Sequence, residues 1–344
     1  MLFFAVMFMT GVLSACASVS SRAVDTDRLQ IVTTVFPEYD WVMNILKDIP
    51  EKADVTMLLD TGVDLHSFQP TAEDILRIST CDLFIYVGGE SDEWVDDALQ
   101  EATNKDMVVI NLLDVLGDAV KEEEIVEGMQ EEEHEHGDGE DEHEHGDGED
   151  EHDEDDHDED DHEEETEYDE HVWLSLRNAA VLVENISEAL QKIDPDHADS
   201  YIKNAKDYTT KLNALDEEYK AAVSKASRKT LLFGDRFPFR YLTDDYGLSY
   251  YAAFAGCSAE TEASFETITF LSGKVDELSL PAVMTIEGPD HRIAETIIQN
   301  TAAKDQRILT MNSMQSVTQK DVNNGTTYLA IMENNLSILK EALK

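Results

Sequence analysis

The chain has 344 residues, enough for one large domain or two ordinary ones, and its formal net charge is −51. Such a charge repels nucleic acid and anionic lipid headgroups, and it attracts cations. About half of the excess lies in one segment, since residues 131–167 hold 25 Asp and Glu but no Lys or Arg. We therefore expect no nucleic-acid partner.

The N-terminus begins with an apolar run that is short for a membrane span and suits the core of a signal peptide. It ends in Leu-Ser-Ala-Cys at Cys16, which resembles the lipobox of bacterial lipoproteins, although no Lys or Arg precedes the run. An ordinary signal peptide or a buried helix is the alternative. The lipobox implies a signal peptide over 1–16, a linker over 17–27 and lipidation of Cys16. The protein would then be anchored at the outer face of the cell membrane, or be periplasmic if lipidation fails or the cell has an outer membrane.

Strands and helices then alternate in a first block. The predicted strands of this block are 29–35, 53–59, 82–89 and 107–113, and its helices are 37–49, 71–78 and 92–103. After the acidic tract, two helices follow each other without a strand. These helices are 171–190 and a long one from Pro195 through Ala226. The order βαβαβαβ of the first block predicts a parallel sheet covered by helices.

A second block repeats the alternation. Its predicted strands are 230–234, 248–254, 282–288 and 307–311, and its helices follow Pro238, span 264–278 and 290–302, and start near Asp321. The fold class is therefore α/β, with two similar lobes, each a mostly parallel four-stranded sheet flanked by helices, joined by one long helix. The predicted divisions are an N-terminal lobe over 28–190 with an insertion at 121–168, a linking helix over 191–227 and a C-terminal lobe over 228–344. Ligands of such folds bind beyond the carboxyl ends of the strands, so the cleft between the lobes is the expected site.

Two histidines stand next to predicted structure. His66 lies in Gly-Val-Asp-Leu-His-Ser-Phe-Gln-Pro after the second strand, and His171 lies in Asp-Glu-His-Val-Trp-Leu where the acidic tract meets a helix. These motifs resemble those of the zinc and manganese solute-binding proteins of ABC transporters, the metal-binding cluster with a single rigid linking helix. The resemblance covers roughly residues 28–344. It implies that both histidines bind a metal ion in the cleft.

The resemblance is weaker in the second lobe. The family's third ligand, His or Glu, falls on Arg236, which cannot ligate a cation because it stays protonated. The adjacent Asp235 is the expected substitute, although an Asp–Arg pair that closes the lobes or caps a helix is an equal alternative. The family's fourth position falls near Asn312, a poor zinc ligand. Glu260 and Glu262 also follow a strand and could approach the cleft.

Zinc takes four tetrahedral ligands from His, carboxylate or Cys. His66 and His171 with Asp64 and Asp235, or with one of these and a water, meet that requirement. Imidazole favours zinc, whereas manganese prefers more oxygen, so we expect Zn²⁺ with Mn²⁺ as the alternative. The two remaining cysteines, Cys81 and Cys257, are expected to be separate thiols, although an exported protein could pair them.

The acidic tract carries seven histidines with internal order, since HEHGDGEDE occurs twice and HDEDD repeats. Such a tract cannot pack, and His-rich tracts commonly bind metal, so we expect a disordered segment that collects zinc weakly at many equivalent positions. A solubilising insertion is the alternative. The auxiliary ligands would be His134, His136, His143, His145, His152, His157 and His162.

The resemblance implies a monomeric solute-binding protein that captures zinc outside the cytoplasm and delivers it to a permease and its ATPase partner. A zinc-buffering or adhesin-type lipoprotein with a degenerate cleft is one alternative, and a manganese-binding transport protein is another. A zinc hydrolase is the least favoured, because the sequence lacks H-E-x-x-H, G-x-S-x-G and a clear general base beside either histidine. We therefore expect no enzyme activity.

Overall fold

Two four-stranded sheets, each entirely parallel, form the centres of two lobes. The computed structural model describes residues 28–130, 167–256, 262–288 and 290–344. The first sheet has the order β2-β1-β3-β4 and the second β6-β5-β7-β8, with parallel pairing at every step. The strands are β1 (Leu29–Thr33), β2 (Ala53–Met57), β3 (Leu83–Tyr86), β4 (Val108–Asn111), β5 (Thr230–Arg236), β6 (Ser249–Phe254), β7 (Ala282–Thr285) and β8 (Arg307–Thr310).

Helices flank both sheets, and one of them is much longer than the rest. They are α1 (Phe36–Ile45), α2 (Ala72–Thr80), α3 (Trp94–Gln100), α4 (Leu112–Leu116), α5 (Leu176–Ile193), α6 (Ala198–Lys225), α7 (Arg240–Tyr246), α8 (Phe265–Leu278), α9 (Arg292–Asn300), α10 (Gln319–Asn323) and α11 (Tyr328–Ala342). The 28 residues of α6 extend for about 42 Å and connect the lobes. The predicted fold class and the long helix are confirmed.

The largest differences from the predicted helix bounds occur in two helices and have local causes. The helix expected from His171 begins at Leu176, because Ser175 caps it by accepting the backbone N–H of Asn178, and Val172–Leu174 form a separate 3-10 turn. The last predicted helix is two helices, α10 and α11. Gly325 separates them at a φ of 94°, a left-handed conformation that glycine adopts without steric cost.

The lobes share one hydrophobic core. A single buried cluster contains side chains of both sheets, α5, α6 and α11. Trp173 is fully buried within it, and its indole N–H donates to the Ser313 carbonyl oxygen of the second lobe at 2.9 Å. The Tyr328 hydroxyl donates in turn to the Trp173 carbonyl oxygen at 2.6 Å. Because opening the lobes would expose this apolar contact, the core opposes large hinge motion.

A second connection between the lobes is formed by residues 121–130, which we call the strap. Its first backbone N–H, that of Lys121, donates to the Tyr241 hydroxyl at 3.1 Å, and its last, that of Gln130, donates to the Ala253 carbonyl oxygen at 3.0 Å. The Glu123 N–H donates to the Glu167 carbonyl oxygen at 3.0 Å. Both ends of the expected insertion 121–168 are thus packed structure, and only 131–166 lies outside the described residues.

Three further expectations concern the cysteines and the membrane. Cys81 is a free, buried thiol, and burial raises its pKa to about 12. Cys257, Cys16 with its lipobox, and the seven tract histidines lie outside the described residues. In the part of the chain that the structure describes, no helix combines the length and apolarity needed to cross a membrane.

Candidate metal site

His66 lies at the carboxyl end of the first sheet, in the 3-10 turn Leu65–Ser67 after β2. Asp64 begins this turn, and its Oδ1 accepts the backbone N–H of His66 at 3.2 Å. The Ser91 hydroxyl contacts Nδ1 of His66 at 2.7 Å. Because Nδ1 is occupied, Nε2 is the ring nitrogen that faces the cleft. Burial and the neighbouring charge of His171 lower the pKa of His66 to about 4, so its ring is neutral at physiological pH.

His171 is fully buried and is held by a single carboxylate. Oδ1 of Asp169 accepts the backbone N–H of His171 at 2.8 Å and lies 3.0 Å from its Nδ1. A carboxylate on one ring nitrogen fixes the tautomer and makes the other nitrogen a better metal ligand. Burial opposes protonation of His171, but Asp169 outweighs it and raises the pKa of the imidazole above its usual value.

The two imidazoles, both of the first lobe, meet at the cleft with their Nε2 atoms 3.5 Å apart. Tetrahedral zinc with bonds of about 2.0–2.1 Å separates its ligand atoms by about 3.3–3.4 Å. The pair therefore has the spacing of two zinc ligands. Sequence reasoning predicted that both residues contribute to one site, and the structure places them together.

Gln315 is a site residue that sequence reasoning missed, as are Ser91, Asp169 and Glu170 around the histidines. Gln315 lies in the turn after β8, and its amide nitrogen is 2.9 Å from His171 Nε2, 3.4 Å from His66 Nε2 and 3.4 Å from Asp64 Oδ1. The side chain is 6 % exposed, so the amide is enclosed by these partners. A rotation of 180° about its last side-chain bond exchanges nitrogen and oxygen, which lets the residue present either a donor or a metal ligand.

The turn that carries Gln315 is held by a half-buried carboxylate, that of Glu287. Glu287, at the end of β7, accepts the Ser313 backbone N–H at 2.6 Å and the Ser313 hydroxyl at 2.8 Å. The Ser313 hydroxyl also lies 3.0 Å from the Gln315 amide oxygen. Asn312, near the family's fourth position, accepts the Met314 N–H and does not itself contact the histidines in any described interaction. The signal for Gln315 was weak because a neutral amide is not a typical zinc ligand.

Asp64 is shared between the site and a cation of the second lobe. Its Oδ1 is 3.9 Å from His66 Nε2, and its Oδ2 accepts an Arg236 N–H at 2.8 Å. Burial opposes ionisation of Asp64, but the Arg236 guanidinium outweighs it, and the pKa of this carboxyl lies below its usual value. An Asp–Arg pair therefore exists between the lobes, but its acid is Asp64 and not the adjacent Asp235 considered from the sequence.

Both carboxylate oxygens of Asp235 accept hydrogen bonds from backbone N–H groups. Its Oδ1 accepts the Arg236 N–H at 2.9 Å and its Oδ2 accepts the Ile286 N–H at 3.2 Å, at the ends of β5 and β7. Its role as a ligand stays a prediction. Of the two other acids considered, Glu262 is exposed and Glu260 lies outside the described residues.

A further acid lies behind the histidines. Glu170 is buried, its Oε1 accepts the Ser91 N–H at 2.8 Å, and its Oε2 lies 3.4 Å from His66 Nδ1. Burial raises the pKa of Glu170 to about 7. No group of three or more His, Cys, Asp or Glu within the described ranges is arranged to hold a metal ion. A metal ion on the histidine pair would therefore need a further ligand of another type, a rearranged acid or water.

Two parallel α/β lobes that share one long helix and direct two imidazoles into their cleft define a two-lobed solute-binding protein for metal ions. A family model described as "Zinc-uptake complex component A periplasmic" matches residues 31–342. The chain is also 31 % identical over 333 residues to the high-affinity zinc uptake system protein ZnuA of Bacillus subtilis, which covers 96 % of this chain and 93 % of that protein. The chain therefore belongs to the family of zinc-uptake complex component A, as the sequence resemblance predicted.

Other relatives are longer or known from structures. The zinc-binding lipoprotein AdcA of Streptococcus pneumoniae is 30 % identical over 315 residues, and the chain spans 56 % of its length. The Zn(II)-bound ZnuA-like domain of that AdcA has a TM-score of 0.66 at 26 % identity, covering 92 % of this chain and 99 % of the domain. The metal-dependent lipoprotein YcdH of Bacillus subtilis has a TM-score of 0.68 at 27 % identity, and the match covers 92 % of this chain and 99 % of YcdH. The laminin-binding protein Lmb of Streptococcus agalactiae shares the fold. Its TM-score is 0.68 at 23 % identity, and the match covers 92 % of this chain and 100 % of Lmb.

Proposed function

We propose that this protein captures Zn²⁺ between its lobes outside the cytoplasm and delivers it to the permease of an ABC importer, held near the membrane by a lipid on Cys16. The observation that carries the proposal is the convergence of four polar atoms, Nε2 of His66, Nε2 of His171, Oδ1 of Asp64 and the amide nitrogen of Gln315. Five of their six separations run from 2.9 to 3.9 Å. A tetrahedral zinc ion with bonds of about 2.0–2.1 Å requires about 3.3–3.4 Å.

The amide of Gln315 gives the empty and loaded states different hydrogen bonds. Without metal its N–H donates to the lone pair of an unprotonated Nε2. With metal the amide rotates and turns its oxygen to the ion. Ser313 is compatible with both orientations of the amide. In the empty state its hydroxyl lies next to the amide oxygen. After the rotation its hydroxyl oxygen can accept from the amide nitrogen while its proton is donated to Glu287. The ligand set is then two imidazoles, one carboxylate and one neutral oxygen, with zinc favoured over manganese by the imidazoles.

The acidic tract would supply the cleft from close range. The tract follows Gln130 at the end of the strap, whose side-chain oxygen accepts the Ser264 N–H at 2.7 Å, and it leads into Glu167, four residues before His171. We propose that the tract collects zinc weakly and transfers it to this cleft. Binding and transfer require no covalent step, so the protein works as a carrier and not as an enzyme.

Zinc titration tests the proposal in a variant whose residues 131–166 are replaced by a Gly/Ser segment of equal length. This replacement preserves the strap and the return at Glu167. We expect one tight site that is lost in His66→Ala and in His171→Ala. His197→Ala is the matched control, because this histidine pairs with Asp194 at the start of α6. If all zinc binding disappears with the tract, the cleft is degenerate and the zinc-buffering alternative is correct. Tighter binding of Mn²⁺ than of Zn²⁺ would establish the manganese alternative.

A further inference from the structure

Arg236 brings a positive charge of the second lobe next to the site, because it pairs with Asp64. Its guanidinium donates to Asp64 Oδ2 at 2.8 Å, and the Arg236 and Asp64 side chains are 23 % and 22 % exposed. The other oxygen of the same carboxylate is the one turned toward the Gln315 amide and His66. One carboxylate thus contacts a fixed cation on one side and faces the metal position on the other.

The charge of Arg236 weakens cation binding at this site below what the other side chains would allow. A guanidinium stays protonated at every physiological pH, so Arg236 cannot withdraw its charge when a dication arrives. The Arg236 guanidinium repels the ion across a partly desolvated space. Its ion pair with Asp64 also offsets part of the negative charge that would neutralise the metal ion. A carboxylate that is shared in this way is a weaker metal ligand than one with no cationic partner.

We infer that Arg236 sets the affinity of the metal site, acting through Asp64 to weaken zinc binding and to speed zinc release. The inference rests on the proposed function and adds to it a positioning residue that is not itself a ligand. It favours a carrier that gives up its ion readily over a protein that stores it.

Asp64 has a second anchor in its own lobe besides Arg236, and this decides the expected direction of the effect. Oδ1 accepts the backbone N–H of His66 at 3.2 Å, because Asp64 caps the turn that carries this histidine. Removing the guanidinium therefore leaves the carboxylate in place and returns its full charge to the metal. If Arg236 instead served to hold Asp64 in position, its removal would weaken binding.

The test compares Arg236→Gln with Arg236→Lys in the protein with the Gly/Ser segment. Zinc dissociation constants are measured by competition with a chromophoric chelator, and release rates by stopped flow into excess chelator. We expect Arg236→Gln to bind zinc about tenfold more tightly or more and to release it correspondingly more slowly. Arg236→Lys keeps the cation and should stay within about threefold of the parent protein.

Arg240→Gln is the matched control, since Arg240 has similar exposure, 22 %, and pairs with Glu124 of the strap. It removes the same charge from the same lobe and should leave zinc affinity unchanged. Equal or weaker binding by a folded Arg236→Gln, verified by thermal melting, would overturn the inference. Asp64→Asn/Arg236→Gln provides a second measurement, because removing the arginine should have a much smaller effect once the shared carboxylate is gone. Absence of His66-dependent binding in the parent protein would instead overturn the proposed function.

Discussion

The pH dependence of zinc affinity follows from how the two histidines share protons. Their Nε2 atoms are 3.5 Å apart, so two imidazolium ions would repel each other strongly. Asp169 raises the pKa of His171, whereas burial and the charge of His171 lower that of His66 to about 4. The pair therefore holds at most one proton above about pH 4, and that proton lies on His171.

Zinc must displace this one proton to bind. As the pH falls below the raised pKa of His171, affinity should fall about tenfold per pH unit, or about 1.4 kcal/mol per unit. Between pH 6.5 and 4.5 the loss is about a hundredfold, or about 2.7 kcal/mol. Two independent histidines of ordinary pKa, about 6.5, would each release a proton and together lose about 2,500-fold over the same range.

The assay is a series of zinc dissociation constants from pH 4.5 to 8 in the protein with the Gly/Ser segment, since the tract histidines would otherwise titrate. Glu170 also titrates in this range, because its pKa is about 7, and Glu170→Gln removes its contribution. Asp169→Asn should lower the pKa of His171 and move the onset of the loss to lower pH. A slope of two protons per zinc in Glu170→Gln would refute the reasoning.

Three further predictions concern the amide ligand, the shared core and a buried acid. Gln315→Ala should weaken zinc binding about tenfold or more, whereas Gln315→Glu, which supplies an anionic ligand, should strengthen it; chelator competition measures both. Trp173→Ala should lower the free energy of unfolding by about 3–5 kcal/mol in urea titrations, because Trp173 is fully buried between the lobes, while Trp173→Phe should cost less. Burial raises the pKa of Asp40 to about 6, so its contribution to stability falls as the pH rises from about 4 to 6. Asp40→Asn keeps an oxygen for the Tyr208 hydroxyl and should be more stable than the parent by about 2–3 kcal/mol at pH 7.5 but equal to it at pH 4.

The sequence by itself determined the architecture of this protein. Alternating apolar runs and helical patterns predict parallel sheets, and the 28 residues of α6 contain no Gly or Pro to interrupt them. The two histidine motifs were found through family resemblance, and each lies where a capping acid, Asp64 or Asp169, fixes the local turn. Such features depend on neighbours within a few residues, and local sequence therefore encodes them.

The tertiary structure alone decided how the site is completed. Gln315 is 144 positions from His171 and 249 from His66, and no periodicity or motif marks a neutral amide as their partner. The same holds for the pairing of Arg236 with Asp64, 172 positions apart. Which side chains meet in the cleft depends on how the carboxyl ends of two separate sheets face each other across the shared core. That geometry is set by packing between the lobes, which one strand or helix cannot reveal.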